Sequence, residues 1–307
     1  MNLLIAVAEG ADRWHDAFAA RLPEATLHRW PDLHASDVDY AAVWKPDPEV
    51  FRRVRIRCAI FNLGAGVDAL LDVPTLPRDV RVVRLEDAGM AIQMAEYAVL
   101  TVLREFRDAD HYGRAQRAGR WSPQKPRDRA TFGVGVMGAG VLARAVLAAL
   151  APFGFPLAAW SRTPHAIPGV ESFHGRERLP TFLARSTMLI AMLPSTPDTR
   201  GLLDADALAL LPGGAHLVNL GRGDLVVETA LIAALNRGHL AHATLDVFRE
   251  EPLPARHSFW HHSAISVTPH VSAVTRAADA VEQVAAKIRA LERGESVSGV
   301  VERDRGY

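Results

Sequence analysis

The run Thr131-Phe-Gly-Val-Gly-Val-Met-Gly-Ala-Gly-Val-Leu-Ala143 constrains this chain more than any other stretch. Its apolar start reads as a buried strand, Gly138 as a tight turn, and Val141 to Leu150 as an apolar helix. A strand, a glycine turn and a helix in that order form the unit that grips a dinucleotide. Gly140 lets the backbone approach a pyrophosphate, and Ala143 fills the small-residue slot where helix packs on strand. The turn residue Ala139 and the helix start at Val141 and Leu142 then offer N–H groups and the positive end of a helix dipole to the phosphates. Ordinary strand–helix turns also carry such glycine strings, so the residues that follow must decide.

After the helix comes a second apolar strand, Phe155-Pro-Leu-Ala-Ala-Trp160, which ends in Ser161-Arg162-Thr163. The tip of this strand meets the adenine ribose in a dinucleotide fold. A carboxylate there marks NAD, whereas an arginine accommodates the 2′-phosphate of NADP. No acid stands here. A guanidinium fork between two hydroxyls would hold a phosphate that an aspartate would repel. Ser161, Arg162 and Thr163 therefore point to NADPH, with NADH possible; the competing view makes Arg162 a solvated loop residue.

Bulk properties narrow the class. A chain of 307 residues can bury the cores of two domains, and 35 basic residues balance 35 acidic ones. That balance leaves no electrostatic footprint for nucleic acid or an anionic membrane. The lone cysteine, Cys58, excludes an internal disulfide framework and suits a reducing cytoplasm. It stands in the apolar run Cys58-Ala-Ile-Phe61, which predicts a buried packing role. The N-terminal run Met1 to Ala8 lacks a basic start and reads as a first strand rather than a signal peptide.

Short apolar runs alternate with helical patterns, the signature of parallel α/β folds. Strands are expected at Leu3–Ala8, Tyr40–Trp44, Ala59–Leu63 and Val80–Leu85, and later at Met188–Leu193, His216–Leu220, Ala243–Val247 and Ile265–Thr268. A long helical pattern runs from Met94 to about Ala118, and Pro123 and Pro126 then break periodicity. A final helix from Arg276 to about Arg293 has room to return to the first domain. The simplest reading is two Rossmann-like parallel-sheet domains: a nucleotide domain over 94–274 inserted into a discontinuous substrate domain formed by 1–93 and 275–307, with a cleft at the strands' carboxyl ends.

Three strand ends then carry polar side chains. They are Leu217-Val-Asn-Leu-Gly-Arg-Gly-Asp224, Leu245-Asp-Val-Phe-Arg-Glu-Glu-Pro-Leu253 and Ser266-Val-Thr-Pro-His-Val271. Glycines on both sides of Arg222 let the backbone bend and swing the guanidinium into a cleft. Arg222, Glu251 and His270 are the groups that reduction of a 2-oxo acid needs: a cation for the carboxylate and ketone, an acid for the oxygen that gains charge, and a carboxylate to keep the imidazole protonated. Taken singly, each also fits a solvated turn.

These motifs together resemble the D-isomer-specific 2-hydroxyacid dehydrogenase family, in its glyoxylate/hydroxypyruvate reductase A branch. The pieces are Leu63-Gly-Ala-Gly-Val-Asp68, Ala95-Glu-Tyr97, Gly138-Ala-Gly140, Leu193-Pro-Ser-Thr-Pro197, Asn219-Leu-Gly-Arg-Gly223, Asp246-Val-Phe248 with Glu251-Pro-Leu-Pro254, and Thr268-Pro-His270. Val43-Trp-Lys-Pro46, Trp160-Ser-Arg-Thr163 and Arg305-Gly-Tyr307 are similar to the narrower branch. The resemblance implies that Arg222 binds the substrate, His270 is the general acid and Glu251 orients and charges it. It implies that Gly64, Ala65, Gly66 and Val67 hold the substrate carboxylate through backbone N–H groups. Trp44 is a candidate wall of the substrate pocket, or a core tryptophan after its strand. The cofactor is implied to meet Leu193, Pro194, Thr196, Leu220, Gly221, Arg222 and His270, with Asp246 at the nicotinamide carboxamide. A homodimer joined through the helix near 94–118 and the arm near 119–130 is implied as well.

The chain departs from the family pattern at Ala143, which replaces a third glycine, and at Asp87, where many relatives carry an amide. The leading expectation is NADPH-dependent reduction of glyoxylate and hydroxypyruvate. Other 2-oxo acids remain open, of the D-lactate or phosphoglycerate type, as does a non-catalytic dinucleotide-sensing protein. His257, His261 and His262 raise the thought of a metal, but their irregular spacing in a proline-flanked turn favours surface histidines.

Overall fold

Strands buried on both faces must be apolar throughout, and that is how the central strands of this chain read. The structure, a computed structural model, describes residues 1–32 and 35–307. It divides into two compact units, Met1–Met90 with Val274–Tyr307, and Ala91–Ala273.

The first unit holds β1 (Asn2–Val7), α1 (Ala11–Arg21), β2 (Thr26–Arg29), β3 (Asp37–Trp44), α2 (Val50–Arg53), β4 (Arg55–Asn62), α3 (Asp68–Leu71) and β5 (Arg81–Arg84). All pairs are parallel, in the order β2-β1-β3-β4-β5. The direction of winding reverses between β1 and β3, so the loops beyond β1 and β3 flank a topological switch point. One face of the sheet buries Leu4, Ala41, Val43, Ile60 and Val82 with Val67 and Leu70.

The second unit begins within α4 (Met90–Phe106) and continues through α5 (Ala109–Arg117), β6 (Val134–Met137), α6 (Val141–Leu150), β7 (Leu157–Ser161), β8 (Glu171–His174), α7 (Leu179–Leu183), β9 (Met188–Ala191), α8 (Ala205–Ala209), β10 (Ala215–Asn219), α9 (Glu228–Asn236), β11 (Leu240–Leu245) and β12 (Ile265–Val267). Its parallel sheet has the order β12-β11-β10-β9-β6-β7-β8, the doubly wound arrangement with its switch point between β6 and β9. The chain then returns to the first unit as α10 (Ala277–Glu292), which packs on α1 and buries Ala280, Val284 and Ile288. Lys287, buried in that helix, donates to the Arg84 and Ser298 carbonyl oxygens and to Glu86, tying the C-terminal segment to the sheet.

Two expectations are corrected. The long helical pattern is two helices, because Asp108 turns into the left-handed region (φ +54) between them. Aspartate tolerates that conformation, and Arg127 from the following arm holds its carboxylate at 2.8 Å. Cys58 is exposed rather than buried. Val38 pairs with Ile56 and Tyr40 with Ala59, so two residues of β4 face one of β3; this bulge breaks the inward alternation and turns Cys58 out. The edge strands β2 and β8, Thr26–Arg29 and Glu171–His174, carry mixed polar sequences that periodicity passes over. Among the described residues, no helix is long and apolar enough to cross a membrane.

Candidate active site

At the switch point of the larger sheet, β6 is buried along its length and runs into Gly138, whose φ of +131 is open to glycine alone. A Cβ there would sit 3.4 Å from both the Ala143 methyl and the Met192 carbonyl oxygen. Gly140 caps α6 with no side-chain hydrogen bond, and a Cβ on it would meet nothing within 4 Å. Open space thus lies before the helix N-terminus, with Ala139, Val141 and Leu142 around it. At the tip of β7 the Ser161 hydroxyl donates to the Thr163 carbonyl oxygen at 2.8 Å, while Arg162 and Thr163 are exposed. Beyond β9, Thr199 fixes the loop: its hydroxyl donates to the Pro194 carbonyl oxygen at 2.6 Å and accepts from the Thr196 N–H at 2.8 Å.

The loop after β10 carries Arg222. Buried Asn219 anchors it, donating to the Arg222 carbonyl oxygen at 2.8 Å and accepting from the Gly221 N–H at 3.2 Å. The flanking glycines serve close approach rather than the bending expected of them, since neither has a positive φ. A Cβ on Gly221 would lie 2.6 Å from the Leu193 carbonyl oxygen, and one on Gly223 only 2.0 Å from the Phe248 carbonyl carbon. Gly221 therefore seats the arginine loop, with Leu220 before it, against the Leu193–Thr196 loop. Gly223 seats it against the loop that carries Glu251.

Glu251 and His270 meet: the Glu251 carboxylate lies 2.8 Å from His270 Nδ1 and accepts the Phe248 N–H at 2.9 Å. Burial pushes the Glu251 carboxyl up, but the His270 contact, the Phe248 N–H and the Arg222 charge outweigh it and hold the group below the usual carboxylate range. With Nδ1 engaged, Nε2 is the outward end of the imidazole. His270 itself sits at φ +54, and its N–H donates to the Asp246 carbonyl oxygen at 2.8 Å.

Asp246 has no exposed surface. Its carboxylate accepts from the Thr268 hydroxyl at 2.6 Å and from the N–H groups of Val271 and Ser272 at 2.9 Å each. Tyr97 Oη lies 2.7 Å from the same Thr268 hydroxyl, linking α4 to the histidine loop. Periodicity and motif spacing give no sign of this anchoring role for Asp246 or of the Tyr97 link.

In the smaller unit, Gly64 to Val67 follow β4 as a turn. Buried Asn62, absent from the sequence-based site, donates to the Gly64 and Gly66 carbonyl oxygens at 2.9 Å each. The carbonyls being held inward, the N–H groups of Ala65, Gly66 and Val67 meet no acceptor among the described residues. Trp44 is 37 % exposed and so is no core residue; a Cβ on Gly64 would sit 2.2 Å from its ring. Of His257, His261 and His262, two have side-chain contacts of their own. His257 accepts the Phe259 N–H and faces Glu228, and His262 faces Asn236. Among the described residues no cluster of three or more His, Cys, Asp or Glu side chains could hold a metal.

A doubly wound sheet with a glycine turn at its switch point, and a carboxylate-bound histidine beside a buried arginine loop, define a dinucleotide-dependent oxidoreductase of hydroxy acids. The profile for the NAD-binding domain of D-isomer-specific 2-hydroxyacid dehydrogenases matches residues 98–272. The chain belongs to that family. It is 45 % identical over 303 residues to glyoxylate/hydroxypyruvate reductase A of Yersinia enterocolitica, covering 97 % of this chain and 96 % of the relative. Among solved structures, a D-isomer-specific 2-hydroxyacid dehydrogenase from Xanthobacter autotrophicus Py2, in complex with NADPH and MES, superposes with a TM-score of 0.94 at 44 % identity, covering 100 % of this chain and 99 % of that one. The NADPH-dependent glyoxylate/hydroxypyruvate reductase from Sinorhizobium meliloti, in complex with NADP and sulfate, gives 0.93 at 32 % identity with the same coverage.

Proposed function

We propose that the protein is an NADPH-dependent reductase of small 2-oxo acids, converting glyoxylate to glycolate and hydroxypyruvate to D-glycerate. The observation that carries this reading is the 2.8 Å pairing of Glu251 with His270 beside the charge of Arg222. The open space before Gly140 and the first N–H groups of α6, which meet no acceptor among the described residues, fit a pyrophosphate. The acid-free tip Ser161-Arg162-Thr163 fits a 2′-phosphate, and the two relatives above were solved with NADPH and NADP.

When bound, the cofactor supplies a hydride to the carbonyl carbon. Arg222 takes the substrate carboxylate and polarises the ketone. The imidazole Nε2 of His270 gives its proton to the oxygen as charge builds there, a step that contributes about 10²–10⁴ in rate. Glu251, held ionised and 2.8 Å from Nδ1, fixes the ring. The N–H groups of Ala65, Gly66 and Val67 are assigned to the substrate carboxylate, with Trp44 as a wall against larger side chains. Asp246 serves by holding the backbone on which His270 rides. On this reading the larger unit is the nucleotide domain and the smaller the substrate domain.

The exposed apolar residues Ile92, Leu100 and Trp121, the last 98 % exposed, support a homodimer through α4, α5 and the arm that follows. A cytoplasmic setting suits a chain with a single cysteine. A panel of 2-oxo acids measured with NADPH and NADH tests the function. Fastest turnover is expected for NADPH with glyoxylate or hydroxypyruvate. Preference for pyruvate or a phosphorylated acid would move the protein to another branch, and no turnover with any substrate would leave a dinucleotide-sensing protein.

A further inference from the structure

Between the glycine turn and the tip of β7 runs a chain of polar contacts that the Ser161-Arg162-Thr163 grip does not include. Arg144, in the first turn of α6, donates from Nε to the Ala139 carbonyl oxygen at 2.8 Å. Its Nη2 lies 3.2 Å from His165 Nδ1, and the other ring nitrogen of His165 lies 3.3 Å from the Thr163 hydroxyl. A guanidinium has donors only, so Nδ1 must present its lone pair, and Nε2–H donates to Thr163. A neutral imidazole thus bridges a cation on the helix to a hydroxyl on the strand tip. Arg144, Arg162, Thr163 and His165 are all exposed, and the contacts of Arg144 with Ala139 and His165, and of His165 with Thr163, involve no carboxylate.

Two guanidinium groups on the rim of one ribose subsite ask for more negative charge than a hydroxyl offers. The strand tip beside a glycine turn is where the adenosine ribose lies in this fold. Its 2′-phosphate supplies a near-dianion with several acceptor oxygens, which suits guanidinium forks. The two anchors of Arg144, on Ala139 and on His165, draw its head toward β7.

We propose that Arg144 and His165 are specificity-determining residues for the adenosine 2′-phosphate: Arg144 as a second guanidinium, His165 as the brace that keeps it at the strand tip. The proposal rests on the NADPH reading above. Calorimetric titration of the full-length protein with NADP⁺, NAD⁺, 2′-AMP and 5′-AMP tests it without turnover. Arg144→Ala is expected to weaken NADP⁺ and 2′-AMP about tenfold or more and to leave NAD⁺ and 5′-AMP within about twofold. His165→Ala should shift the same two ligands in the same direction by a smaller factor, and Arg144→Lys, which keeps the charge but not the fork, should fall between. Equal losses for NADP⁺ and NAD⁺ would overturn the proposal by placing Arg144 at the pyrophosphate. Selective loss in Arg162→Ala with none in Arg144→Ala or His165→Ala would overturn it while leaving the NADPH reading intact. A wild-type protein that binds NAD⁺ as well as NADP⁺ would overturn both.

Discussion

His270 makes two demands on its surroundings: a partner for Nδ1 and a main chain that keeps the ring aimed. Glu251 meets the first at 2.8 Å, and the Asp246 carboxylate, through Thr268, Val271 and Ser272, meets the second. His270→Ala is therefore expected to cut turnover by about 10² or more while NADPH binding, followed by fluorescence titration, stays unchanged. In Glu251→Gln the ring keeps a hydrogen-bond partner but loses the carboxylate charge beside Nδ1. Turnover at saturating NADPH should then fall while NADPH affinity stays; an unchanged rate would contradict the pairing. At Gly223 the nearest backbone atoms belong to Phe248 and Arg249 and have no room to yield. Gly223→Ala must push the arginine loop off the Glu251 loop. The expected loss is in kcat, measured with saturating NADPH, rather than in cofactor affinity.

Among the elements, β10 and β11 bring two histidines into one buried cluster. His216 lies 3.2 Å from Glu105 of α4 and its ring centroid 5.0 Å from that of His242, while Arg127 pairs with Glu105 from the other side. Burial, aided by the charge of His216, takes the His242 imidazole down to about 4. Burial pushes Glu105 up, yet His216 and Arg127 together bring its carboxyl down to about 2. Both folded values lie below the unfolded ones, so the stability these groups contribute is present at neutral pH and lost on acidification. For His242 the loss runs from about pH 6.5 to 4, and for Glu105 from about 4.5 to 2. His242→Asn is expected to flatten the upper part of that decline by roughly 1–3 kcal/mol, read as Tm between pH 7 and pH 4. The same scale separates what was legible in the sequence from what was not. Central strands such as Met188–Ala191 stand out because both faces are buried and every residue is apolar. Edge strands β2 and β8 need only a partner on one side, so their composition stays mixed. The break at Asp108 is set by Arg127, some twenty residues on, which no local window contains.

For the molecule as a whole, the proposed homodimer would use the exposed apolar side chains of α4 and the arm. Trp121→Ala together with Leu100→Ser should shift the protein toward monomer in analytical ultracentrifugation, and a dimer of undiminished affinity would move the interface elsewhere. The glycine turn, the arginine loop, the glutamate and the histidine were all visible as residues at strand ends, because parallel α/β sheets place function there. Asn62 on the Gly64 turn was not singled out at all, and Asn219 under Arg222 and Asp246 beneath His270 were named without the holding roles that the structure gives them. Asn62 and Asn219 hold main-chain groups two to four residues further along their own loops, whereas the partners of Asp246 lie on the loop after β12, a relation that becomes readable only once the strands are paired.

The two glycines around Arg222 carry a consequence for how such an enzyme could change its diet. Each is filled by another segment's main chain, so the Leu193–Thr196 loop, the arginine loop and the glutamate loop are wedged into one solid piece. Variation that widens or narrows substrate range must then fall outside that wedge, on side chains free to change size, and on the proposed reading half-exposed Trp44 is the first such position.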